Sequence, residues 1–167
     1  KELTYKARLA YEKYLEISVY ENGLTGTSPG LLVELGLTDE ATVNALLENS
    51  DDPSVYIQSD VPYETFQSAM RNYMTDACFA ENFSNYIDMD GYVGFNAGAG
   101  SNISYKAGDI SYLGTEGDYY SFQIDLIDTA TYDLSGEINE SDVQMHVVNF
   151  AMENGKLVYA GMPLSNE

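Results

Sequence analysis

Cysteine, tryptophan, histidine and basic side chains are all scarce in this chain of 167 residues, and each scarcity narrows what the protein can be. A single cysteine, Cys78, excludes any intramolecular disulfide, whereas secreted eukaryotic domains of this size commonly carry several. No run of about 18 apolar residues occurs, so no segment reads as a bilayer-spanning helix. Only 7 Lys and Arg stand against 27 Asp and Glu, a formal net charge of -20. Such a surface repels phosphate backbones, anionic membranes and anionic cell-wall polymers, which argues against any nucleic-acid partner. It favours cations and basic protein patches, and self-repulsion favours a monomer. With one histidine, His146, the only conceivable thiol–imidazole pair is Cys78 with His146.

What is present argues for a packed core. Hydrophobic residues make up 44% of the chain, close to the share in ordinary globular domains, so disorder is not expected. The length suits one domain over residues 1–167. Opening on Lys1 rather than Met suggests a processed or a trimmed chain whose export signal would lie upstream. With the acid-rich, cysteine-poor composition, this points to an extracytoplasmic bacterial location, secreted or anchored at the cell surface.

The hydrophobic rhythm changes near residue 86. Residues 1–85 read as mainly helical and residues 86–162 as mainly antiparallel sheet. Thr4 is a candidate N-cap for a helix with Ala7, Ala10, Tyr11, Tyr14 and Ser18 on one face. Leu31 to Leu35 reads as a short helix or turn. Thr38 precedes a helix with Asp39 and Glu40 at its positive end and Val43, Leu46 and Leu47 as its apolar stripe. Ser54 to Ser59 reads as a short strand. Pro62 then opens a helix bearing Phe66, Ala69, Met70, Tyr73 and Met74, and Thr75-Asp76 caps a fourth helix with Cys78, Phe79 and Phe83. Strands follow at Tyr92 to Phe95, at Ile103 to Leu113 with a bend at Gly108, at Tyr119 to Asp128, at Val143 to Glu153 and at Lys156 to Met162. Asn154-Gly155 predicts a type I′ hairpin. The expected fold class is α+β, with N-terminal helices on one face of a curved antiparallel β-sheet of about four long strands.

No stretch announces a catalytic site. Cys78 sits among small and apolar neighbours, and His146 alternates with Val148 and Phe150, so a buried thiol and a core or rim imidazole are the expected reading. Asp88-Met89-Asp90-Gly91 has the middle of a calcium loop without its ends, since Tyr86 and Ala97 fall where acids are needed. It reads as a turn. Asn96 to Ser101 is glycine-rich but lacks the Gly-Lys-Ser/Thr end of a phosphate loop. No catalytic residue, metal site or cofactor is assigned. A cone-shaped enzyme would need an inward carboxylate or imidazole, for which Asp125 and His146 are the candidates. The bias to 15 tyrosines suggests a contact surface, because Tyr buries ring area while keeping a polar tip. Tyr105 and Tyr120 lie on the sheet. The polar excursion after Asp128 brings Tyr132 together with Asp133 and Glu137. These six are the candidate binding residues.

One succession of motifs goes further. Tyr73-Met74-Thr75 leads into a short helix ending near Phe83, followed by Asp90-Gly91-Tyr92 and a small-residue break at Gly98 to Gly100. Ile110-Ser111-Tyr112-Leu113-Gly114, Asp118-Tyr119-Tyr120 and Asn154-Gly155-Lys156-Leu157 complete it. This order resembles NTF2-like or cystatin-like domains of Gram-positive secreted proteins and lipoproteins, and is similar to the IseA family of inhibitors of cell-wall DL-endopeptidases. The resemblance implies a non-enzymatic inhibitor or regulator that occludes the cleft of a secreted peptidase. The alternatives are an NTF2-like cone that binds or transforms a small ligand, and saccharide binding through exposed tyrosines.

Overall fold

The computed structural model describes residues 1–21, 29–50, 52, 55–96, 105–128 and 143–163. The protein is α+β, with two antiparallel sheets. Its helices are α1 (Glu2–Ser18), α2 (Gly30–Glu34), α3 (Glu40–Glu48), α4 (Tyr63–Met70) and α5 (Asp76–Asn82). Its strands are β1 (Ile57–Pro62), β2 (Ile87–Met89), β3 (Tyr92–Phe95), β4 (Tyr105–Glu116), β5 (Tyr119–Asp128), β6 (Val143–Glu153) and β7 (Lys156–Gly161). The sheets run in the orders β1-β3-β2 and β4-β5-β6-β7. The chain divides into two compact units. One comprises Lys1–Glu16, Tyr73–Cys78 and Asn102–Glu167, and the other Ile17–Asn72 and Phe79–Ser101.

In the first unit, α1 lies on one face of the four-stranded sheet through aromatic side chains. Tyr14 stacks on Tyr159 with ring centroids 3.8 Å apart, and Tyr11 meets the edge of Phe150 at 6.3 Å. Phe150 in turn meets Phe122 at 5.6 Å in a T-shaped contact. Each such pair is worth about 0.5–1.5 kcal/mol beyond the area it buries. The main-chain N–H of Thr75 donates to the Tyr159 carbonyl at 2.9 Å, so the segment before α5 pairs with the outer edge of β7.

In the second unit, Phe66, Phe79, Phe83 and Tyr86 form a chain of ring contacts, with Phe66 5.4 Å from both Phe79 and Tyr86. Leu31, Leu32, Val61, Val93 and Phe95 are buried in the same unit. α3 and α4 both contact β1.

One continuous sheet is expected from the sequence, and the described residues form two. β3 is only four residues long and buries three in succession, Val93, Gly94 and Phe95, which suits the centre of a small sheet rather than one end of a long meander. It pairs with β1 and β2, taking the predicted early strand into its own sheet.

Helix starts also differ. Thr4 lies inside α1, which begins at Glu2, and Asp39 rather than Thr38 caps α3 by accepting the Thr42 N–H at 2.7 Å. Pro62 ends β1 and stands at the N-cap of α4 rather than in its first turn, because its ψ of 135° is extended. The predicted stripe through Tyr73 and Met74 stops at Met70, where α4 ends. The strands fall close to expectation. β5 and β6 have the predicted bounds, the register shifts beside Gly108, and Asn154 and Gly155 both adopt positive φ, 51° and 78°, as a type I′ turn requires.

Candidate functional site

Alternation along β5 places Tyr120, Phe122, Ile124, Leu126 and Asp128 on one face, the face that α1 covers. Their partners extend this face across the sheet in rows: Tyr112–Phe122–Val148, Ile110–Ile124–His146, Ala107–Leu126–Gln144, and Tyr105–Asp128. Burial falls along the rows. Phe122, Ile124, Val148 and Phe150 are fully buried, His146, Leu126, Asp128 and Tyr105 are half-buried, and Gln144 is exposed. The face thus grades from an aromatic core to a polar, solvent-facing end. That end is the candidate site, made of Tyr105, Asp128, Gln144 and His146.

Two features fix its local geometry. His146 and Gln144, two residues apart on β6, are joined by a side-chain hydrogen bond of 3.2 Å between Nε2 and Oε1. Arg8, on α1, donates from Nη2 to the Gly108 carbonyl at 2.7 Å. Gly108 lies where β4 departs from regular pairing, and a Cβ there would crowd Asp125 and Ile127, so glycine permits the close approach of the strands.

Two of the six sequence-derived binding residues come together, because Tyr105 and Asp128 are directly opposite on β4 and β5. Residues in such a pair have Cβ atoms about 4.5–5.5 Å apart. Tyr120 does not join them. It sits eight residues up β5 from Asp128, roughly 27 Å away in an extended strand, beside Phe150. Tyr132, Asp133 and Glu137 lie outside the described residues. Of the two candidates for an inward ionisable group, His146 shares the helix-covered face, and Asp125 points to the other face, opposite the exposed Met145. Cys78 is buried on α5, and its N–H is capped by the Thr75 hydroxyl. Of Asp88 to Gly91, read as a turn, Asp88 and Met89 belong to β2, and the turn itself is Asp90-Gly91, closed by the Gly91 N–H donating to Asp88 Oδ1 at 2.7 Å. The glycine-rich stretch after Asn96 lies outside the described residues, and among those described no three His, Cys, Asp or Glu converge as a metal site.

His146 and Asp128 do not form an acid–base pair. They stand two same-face rows apart, an offset of roughly 14 Å along the strands, with the row of Leu126 between. The polar end offers an aromatic ring and a carboxylate at Tyr105 and Asp128, and a carboxamide and an imidazole at Gln144 and His146 in the rows beyond.

The second unit contains a group that no sequence pattern marks. Burial pushes the Glu21 carboxyl up to about 7. Glu21 follows α1, where the negative end of the helix dipole also disfavours an anion. Burial likewise raises Tyr20, with the charge of Glu34 adding to it. Tyr86, fully enclosed, is raised by burial and then by Tyr20. An acid beside an Asn-Gly stop reads as an exposed helix end, and only the fold shows that it is covered.

Electrostatically the units differ. Twelve of the acids fall in the second unit against one base, Arg71, and all of those acids among the described residues except Glu21 are exposed. No protein-family model, curated protein or solved structure matches the chain. No helix among the described residues is long and apolar enough to cross a membrane.

Proposed function

We propose that this chain is a non-enzymatic, extracytoplasmic binding domain of the NTF2-like kind that inhibits or regulates cell-wall peptidases by engaging a basic cleft. The observation that carries this reading is the second unit, acidic over its described surface with Arg71 as its only base. Charge of one sign steers an oppositely charged partner and raises its on-rate. The separation of His146 from Asp128 supports a binding role over acid–base catalysis. The experiment is titration calorimetry with a purified secreted DL-endopeptidase at low and high salt. Binding that weakens as salt rises supports the proposal, and no heat at either salt removes it.

A second reading has its own observation. The burial gradient ending at Tyr105, Asp128, Gln144 and His146 would suit an NTF2-like cone that binds a small hydroxylated or cationic ligand. Under that reading, His146→Ala and Asp128→Asn each abolish ligand binding and leave endopeptidase binding unchanged.

A further inference from the structure

We infer that the outer face of the three-stranded sheet is the docking surface for a basic protein segment, one that presents Lys or Arg side chains around an apolar residue. This rests on the reading of the protein as a binder of basic partners, and it assigns the contact to residues other than Tyr105 and Asp128. Strand pairing aligns two rows on that face, Gln58–Gly94–Ile87 and Pro62–Tyr92–Met89. The opposite face carries Ser59, Val61, Val93 and Phe95, all buried, so the outer rows are turned away from the unit's core. Tyr92 is 42% exposed, an unusual position for a large ring at the centre of a sheet. A Cβ at Gly94 would overlap the Met89 sulfur, so Met89 lies flat across the sheet over the glycine. Met89, Tyr92, Ile87 and Pro62 together make an apolar platform.

The platform is held in place before any partner arrives. Gln58 Nε2 donates to the Met89 carbonyl at 2.7 Å, Tyr63 N–H donates to the Gly91 carbonyl at 2.9 Å, and Asp88 Oδ1 closes the turn on Gly91. Three carboxylates rim it. Asp60 alternates onto the same face of β1, Glu64 stands in the first turn of α4, and Asp90 follows Met89 in the turn to β3, whereas Asp88 alternates to the opposite face beside Val93. All three are exposed, and none is ion-paired within the described residues. An apolar centre with an acidic rim selects a partner with an apolar centre and a basic rim. A second copy of this chain would bring the same acids against themselves, which disfavours self-association.

The test is an amide-shift titration of the full-length isotope-labelled chain with a synthetic peptide of alternating Lys and Leu, alongside an oligolysine of equal charge. The expected result is shifts centred on residues 57–62 and 87–95. Met89→Ser and Tyr92→Ser should each weaken the Lys-Leu peptide about tenfold, Met89→Leu should retain it, and oligolysine should be indifferent to all three. Asp60→Asn with Asp90→Asn should flatten the salt dependence. Unchanged far-ultraviolet circular dichroism confirms that the surface variants fold. Shifts spread evenly over both units, or full affinity in both serine variants, overturn the inference. If a purified DL-endopeptidase binds the serine variants as well as the unaltered chain, this surface is wrong and the binding role stands. If the peptide behaves as expected and the endopeptidase does not bind at all, the surface stands and the peptidase reading fails.

Discussion

Replacing Glu21 with Gln should stabilise the protein at neutral pH and have little effect in acid. Burial raises the folded-state carboxyl from 4.5 to about 7. Below pH 4.5 the group is protonated in both states and adds nothing to the pH dependence. Between 4.5 and 7 the unfolded chain releases its proton first, so the folded state holds more protons and stability falls as pH rises. Above 7 the loss is complete. A shift of that size corresponds to about 3 kcal/mol at 1.36 kcal/mol per unit, and residual solvent access lowers the expectation to about 2–3 kcal/mol. Glutamine has no proton to lose and nearly the same volume. The assay is urea unfolding of both proteins at pH 4 and pH 8. The stability difference between variant and wild type should grow by about 2–3 kcal/mol across that range. Taking the change in that difference cancels any pH-independent loss of a hydrogen bond at Glu21, and much of the general repulsion expected at a net charge of -20. A difference that stays flat with pH would refute the reasoning and place Glu21 in contact with water.

Other outcomes follow from packing and caps. Tyr159→Ala removes the ring stacked on Tyr14 and edge-on to Phe150, and should cost about 3–5 kcal/mol by chemical denaturation. Thr75→Ala leaves the Cys78 N–H without its hydroxyl acceptor and should cost about 1 kcal/mol, with Thr75→Ser restoring most of it. Gly155→Ala forces a side chain into the left-handed region at φ 78° and should lower stability by about 1 kcal/mol while leaving the rest of the amide spectrum unchanged.

The strands of the four-stranded sheet could be read because their signals are local. The alternation of Tyr120, Phe122, Ile124 and Leu126 marks one buried face, and Asn154-Gly155 has few uses other than a tight hairpin. The division into two sheets was not legible. Pairing of β1 with β3 joins residues thirty or more apart, and nothing in the Ile57–Pro62 segment names its partner. Helix ends moved by a turn or less where several capping residues stood side by side, as at Thr38-Asp39. For the candidate site, the sequence marks Tyr105 as a tyrosine on the sheet and Asp128 as the start of a polar excursion. Their face-to-face placement depends on the β4–β5 register, which shifts beside Gly108 and again near Gly114. Gln144 was missed because a lone amide on a strand carries no pattern. His146 could be placed on a face only once Phe122 and Val148 were known to be core.

The proposal that an acidic domain blocks a basic catalytic cleft stands or falls on the hydrolysis of purified peptidoglycan by a secreted DL-endopeptidase with increasing amounts of this protein. Dose-dependent loss of hydrolysis is expected at low ionic strength, relieved by added salt. Full hydrolysis in the presence of excess protein at low ionic strength would contradict it.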